Sequence, residues 1–175
     1  MKMNGRISYW LMPAATDKAW LSEKIQSFAA CVNGPVFEPH VTLYSGPAES
    51  PERINEILIE TARKTSGKTL HTTGLSHSDQ FTKTLFLEFS GDAALIHLMM
   101  RLKQLSAQPE DYELKPHLSL LYASLPQAER ETLARSILIP KVLRFDSLKA
   151  VLTGASTSSR ADVESWCGVA EQSLA

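Results

Sequence analysis

Two short runs in this chain carry residue types that suit acid/base work: Pro39-His40-Val41-Thr42-Leu43 and Pro116-His117-Leu118-Ser119-Leu120. A β-strand points alternate side chains to one face. Each run would therefore present an imidazole and a hydroxyl side by side, with its apolar residues turned to the core. Brought into one cleft, the two runs supply two proton carriers and two hydrogen-bond donors. That set suits the opening of a strained five-membered phosphate diester without a metal. Water attacking phosphorus must lose a proton while the departing sugar oxygen gains one, and histidine is the side chain whose unperturbed pKa allows both forms near neutrality. Hydroxyls of Thr42 and Ser119 would donate to the non-bridging oxygens as charge builds there. A single His-x-Thr on a strand is an ordinary structural feature, but packing does not require a second copy at the matching place.

The elements that must position these runs repeat. Ile7 to Met12 has a strand period ended by Pro13, and a helix capped by Thr16 or Asp17 follows, with Trp20, Leu21, Ile25, Phe28 and Ala29 as its stripe. Asn33-Gly34-Pro35 stops it, and the first His strand runs from about Pro39 to Ser45. Ser50 caps a second helix opened by Pro51, and Leu70 to His77 alternates like a strand. The second half reads the same way: a strand over Thr84 to Phe89, a helix capped by Asp92, the His strand to Tyr122, a helix from Pro126 through Leu133 and Ile137, and a strand over Leu143 to Leu152. One unit spanning 1–175 is expected, duplicated internally over roughly 6–78 and 84–153, with a closing strand over 163–170. A pseudo-twofold axis would bring the two His strands together. The small-residue stretch Thr153 to Ser159 reads as a loop.

Composition narrows the partner. Lys+Arg of 18 against Asp+Glu of 19 leaves a formal net charge of -1, too little positive field to gather a long nucleic acid, so a small anionic ligand is expected. The apolar run before Pro13 is too short for a signal peptide or a membrane span, which makes the cytoplasm the default. Cys31 and Cys167 match no zinc spacing and read as packing residues. His71 and His77 lack a third ligand at suitable spacing and read as surface residues, and His97 falls in a helix beside the Met99-Met100 apolar patch, as a boundary residue and not a catalyst. No metal or other cofactor is expected.

Phe37-Glu38-Pro39-His40-Val41-Thr42-Leu43 and Lys115-Pro116-His117-Leu118-Ser119-Leu120-Leu121-Tyr122 closely resemble the cyclic phosphodiesterases of the 2H phosphoesterase superfamily. Ser8-Tyr9-Trp10-Leu11-Met12-Pro13 is similar to that family's opening strand, and Ser165-Trp166 with Val169-Ala170 to its closing one. The resemblance implies a bilobal α+β fold, two antiparallel sheets around a water-filled cleft with helices outside. It also implies metal-free hydrolysis of ADP-ribose 1″,2″-cyclic phosphate or nucleoside 2′,3′-cyclic phosphates to the monoester. His40 and His117 would be the acid/base pair, with Thr42 and Ser119 holding the phosphate. Trp10, Tyr122 and Phe81 match positions where the family lines its cleft with aromatics. Two further contacts come from position alone: Tyr44, four residues after His40 and on its face if the strand stays regular, and Lys115, two before His117. A monomer is expected. The alternatives are an RNA 2′,3′-cyclic phosphodiesterase of the 2′-5′ RNA ligase-like branch, and a module that binds a phosphoribosyl ligand without turning it over.

Overall fold

In the computed structural model, which describes residues 5–91 and 93–175, helices and strands alternate in the predicted order. Strand β1 (Arg6–Pro13), helix α1 (Ala15–Val32), β2 (Val41–Pro47), α2 (Pro51–Ala62) and β3 (Lys68–His77) make the first half. After one 3-10 turn at Phe81–Lys83, the order recurs as β4 (Leu85–Phe89), α3 (Ala93–Leu105), β5 (His117–Leu121), α4 (Gln127–Arg135) and β6 (Val142–Thr153). A short helix α5 (Arg160–Glu164) then leads into β7 (Cys167–Ser173).

Local chemistry explains the ends. The Ser50 hydroxyl accepts from Arg53 N at 3.3 Å and Pro51 fills the first turn of α2, while Asn33 takes a left-handed conformation (φ 53°) that ends α1. Three expectations shift. Neither Thr16 nor Asp17 caps α1, whose N-cap is Ala14. The Asp17 carboxylate is instead spent on Arg144 N at 2.7 Å, tying the helix to β6. The closing strand begins at Cys167 rather than 163, because Ser159 and Asp162 form a capping box that winds Val163 into α5 and buries it. Helix α4 stops at Arg135, so Ile137 reaches the core from the segment beyond it. Asp92 as the cap of α3 lies outside the described residues.

All seven strands pair antiparallel in one sheet of order β1-β2-β5-β4-β3-β6-β7, and β1 also pairs with β6, so six of them close a ring. The two expected sheets are the two halves of this ring. Exchanging β1 with β4, β2 with β5 and β3 with β6 turns every pairing in the ring into another observed pairing, which is the signature of a pseudo-twofold axis. That axis passes the one residue pair joining the His strands, Val41 opposite Leu118. Leu21, Ile25 and Phe28 of α1, Ile54, Ile57 and Leu58 of α2, and Leu95, Leu98 and Leu102 of α3 are buried beneath their helices at helical spacing.

The halves also share an irregularity. Tyr9 lies opposite Tyr44 but Trp10 opposite Thr42, so Leu43 is an extra residue on β2. Leu85 lies opposite Leu121 but Phe86 opposite Ser119, so Leu120 is the extra residue on β5. Each bulge falls three positions after a histidine and reverses the side-chain alternation beyond it.

Candidate active site

Each histidine follows a proline, and the residue before a proline is confined to extended backbone. The carbonyls of Glu38 and Lys115 are thereby presented to the rings two positions on. His40 Nδ1 lies 2.6 Å from Glu38 O, and His117 Nδ1 lies 2.8 Å from Lys115 O. A carbonyl only accepts, so Nδ1 carries the hydrogen in both rings and Nε2 is left to exchange protons with a ligand.

His40, Thr42, His117 and Ser119 line one cleft of about 330 Å³, together with Trp10 and Tyr122. The bulges decide who joins them. Five residues after each histidine, Ser45 and Tyr122 face the cleft. Tyr44, expected there by simple alternation, is fully buried on the other side, stacked with Tyr9, its hydroxyl accepting from Glu110 N at 3.0 Å. Phe81 does not line the cleft either, but packs behind Tyr122 at 6.1 Å between ring centroids. Lys115 turns its side chain to solvent and pairs with Glu113 at 3.2 Å, so it serves the site through its carbonyl and not its charge. His71, His77 and His97 lie outside the cleft lining.

The two imidazoles sit in unequal surroundings. His40 is 7 % exposed, stacked on Trp10 with centroids 3.6 Å apart and rings 9° from parallel, and edged by Phe37 and Trp166. Burial takes its pKa down to about 4; the Glu38 carbonyl resists this and the His117 charge adds to it. His117 is half-buried and meets Phe86 edge-on at 5.7 Å. Burial and the Lys83 ammonium lower its pKa too, against the pull of the Lys115 carbonyl and of Glu88. Beside it, the Ser119 hydroxyl donates to Thr82 O at 2.7 Å, whereas Thr42 makes no hydrogen bond through its side chain among the described residues. Tyr122 stacks on Phe37 at 3.8 Å, and burial raises its phenol pKa, keeping it a donor.

Sequence reasoning passed over Arg6, Ser8, Thr82, Lys83, Tyr112, Trp166 and the 153–157 loop, all of which line the cleft. Trp166 stands edge-on to Trp10, His40 and Tyr122 at 5.5, 6.2 and 6.0 Å. Its Ser-Trp string was a visible signal, as was Ser8, two residues before Trp10 in the opening-strand string; the others come from strand ends and loops with no pattern of their own. Among the described residues no group of three His, Cys, Asp or Glu side chains is arranged to hold a metal ion, and no helix is long and apolar enough to cross a membrane.

The family model described as cyclic phosphodiesterase-like protein matches residues 3–160. No curated protein matches the sequence. Solved structures of the same fold include E. coli LigT complexed with 3′-AMP, at 16% identity and TM-score 0.61, covering 98% of this chain and 99% of that one. LigT complexed with NADP+ matches at 14% identity and TM-score 0.58, with 98% and 99% covered. TT0787 of Thermus thermophilus matches at 17% identity and TM-score 0.60, with 97% of each chain covered. At such identities the likeness is one of fold.

Proposed function

Because the chain belongs to the cyclic phosphodiesterase-like protein family, which makes it a hydrolase of phosphoric diesters, we propose that its cleft opens ADP-ribose 1″,2″-cyclic phosphate or nucleoside 2′,3′-cyclic phosphates to the monoester. The observation that carries this reading is the convergence of His40 and His117 on one cleft, each with Nδ1 held by a carbonyl and Nε2 left free. No metal enters the scheme.

Burial divides the roles. His40, desolvated beneath Trp10, arrives neutral and takes the proton of the attacking water through Nε2. His117, the more open ring, carries the proton that the departing sugar oxygen receives. Thr42 and Ser119 donate to the non-bridging oxygens; Ser119 must release the Thr82 carbonyl to do so, whereas Thr42 is unengaged. Trp10, Trp166 and Tyr122 offer apolar faces and edges to a base or ribose.

A mononucleotide-sized substrate suits the charge of the cleft, where the Arg6 guanidinium is already paired with Glu110 at 2.7 Å. LigT, a neighbour in fold, has been solved with 3′-AMP and NADP+, both small phosphorylated ligands. The test is an assay of the purified protein against the four nucleoside 2′,3′-cyclic phosphates, ADP-ribose 1″,2″-cyclic phosphate and a cyclic-ended RNA, with products assigned by phosphorus NMR. Hydrolysis of the small substrates in EDTA is expected. Turnover of the RNA alone would transfer the protein to the RNA-processing branch, and binding without turnover would leave a phosphoribosyl-binding module.

A further inference from the structure

Among the described residues two cations, Arg6 and Lys83, line the cleft, and they are not equivalent. Arg6 is neutralised by Glu110, whereas Lys83 makes no ion pair among the described residues. The Lys83 ammonium stands 4.4 Å from the centroid of Phe86, the ring that also meets His117 edge-on at 5.7 Å. An unpaired charge over an aromatic face in a half-buried cleft is held where a counter-anion would be expected.

The backbone that carries it is braced. Lys83 N donates to Gln80 O at 2.9 Å, and the Ser78 hydroxyl donates to Lys83 O at 2.6 Å. The Thr84 hydroxyl donates to Ala123 O at 2.7 Å and accepts from Ala123 N at 2.8 Å, joining the 3-10 turn to the end of β5. Thr82, one residue before, holds the Ser119 hydroxyl. Lys83 is thus mounted on the same rigid turn that touches one of the two phosphate-holding candidates.

The charge is also one-sided. Leu85 and Phe86 of β4 take the places of Tyr9 and Trp10 in β1, so the position matching Lys83 in the first half is Ile7, which is 1 % exposed. At that count the first half carries a core residue within its strand, whereas the second half carries Lys83 on the 3-10 turn that lines the cleft. We propose that Lys83 is a catalytic residue on the His117 side: its ammonium binds a non-bridging oxygen of the reacting phosphate and offsets the charge that accumulates as the ring opens. This inference rests on the cyclic phosphodiesterase reading above.

Besides Lys83, the charged and titratable groups that bear on His117 or share its cleft are Glu88 on β4, His40, the Arg6–Glu110 pair, and the phenols of Tyr112 and Tyr122. The experiment compares wild type, Lys83→Met and Lys83→Arg by turnover of a nucleoside 2′,3′-cyclic phosphate and by calorimetric binding of 2′-AMP and inorganic phosphate. Lys83→Met should lower kcat/KM and weaken both ligands by about tenfold or more, with an unchanged melting temperature, and Lys83→Arg should recover most of the loss. Removing the neighbouring cation should also move the pH limb belonging to His117 upward in Lys83→Met and not in Lys83→Arg. Wild-type kcat/KM and wild-type ligand affinity in Lys83→Met would overturn the assignment while leaving the cyclic phosphodiesterase reading intact. Wild type that binds 2′-AMP through Lys83 yet hydrolyses none of the cyclic substrates would overturn the reaction instead. Failure of wild type to bind or hydrolyse would end both.

Discussion

The halves of the cleft share a backbone and differ in what surrounds it. In both, a proline precedes the histidine, a carbonyl two residues back holds Nδ1, a hydroxyl follows at the second position, and a bulge at the third turns the fifth residue inward. Where β1 places Trp10 flat on His40, however, β4 places Phe86 edge-on to His117. The carbonyl that orients His40 belongs to Glu38, whose carboxylate is gripped by Lys149 and by Lys18, the latter at 3.0 Å. The carbonyl that orients His117 belongs to Lys115, whose own side chain lies in solvent. Twofold backbone geometry thus aims two rings at one place, and unequal burial gives them different proton affinities. That difference favours one arrangement of the single shared proton over the other, with the more buried His40 the ring that stays neutral.

Removing either ring is the strongest way to break the comparison. His40→Ala and His117→Ala should each lower kcat by about 10²–10⁴ with the fold retained. A single-turnover assay beside a circular dichroism spectrum checks this, and wild-type turnover in either variant ends the acid/base pairing.

Stability against pH separates the two rings. The folded pKa of His40, about 4, lies below the value near 6.5 of an unfolded chain. As pH falls the unfolded state therefore binds its proton first. The stability of the neutral buried ring is full above pH 6.5 and is lost progressively down to about 4, by up to ~3 kcal/mol. His117 is lowered in the same direction but is less buried, so its share is smaller. Urea unfolding at pH 7.5 and 4.5 should show most of this pH dependence gone in His40→Gln and little of it gone in His117→Gln. Equal behaviour of the two variants would mean that the halves are electrostatically alike.

The smallest effect lies one layer out. Lys149→Ala leaves the Glu38 carboxylate held by Lys18 alone and loosens the segment whose carbonyl orients His40, for a loss in kcat of about 3- to 10-fold at unchanged KM. Glu113→Gln, which releases only the exposed Lys115 side chain, should stay within about twofold. A Lys149→Ala enzyme as fast as Glu113→Gln would show that the ion pairs behind Glu38 are structural only.

The misplaced residues show where reading the sequence runs out. Tyr44 obeyed the strand period as far as the sequence could tell, and Tyr122 violated it, yet Tyr122 is in the cleft and Tyr44 in the core. The cause is Leu43 and Leu120, bulged residues with no glycine or proline to mark them, which exist only because β1 and β4 pair against those strands in that register. Phe81 was drawn from the right segment, but the 3-10 turn sends Lys83 to the cleft and Phe81 behind Tyr122. Lys115, a candidate by its position two residues before His117, turns its side chain to solvent and meets the site only through its carbonyl.

By itself the sequence determined the two imidazole-hydroxyl runs, the duplicated order of elements and the pseudo-twofold arrangement. Strand alternation, helix periods, caps and proline restrictions all act over a few residues and can be read without a partner. Which side chains share the cleft beyond those four, and how far each ring is stripped of water, only the tertiary structure decided. Bulge placement, the approach of Trp166 and Lys83, and the burial of His40 beneath Trp10 depend on segments that come together only when the ring of strands closes.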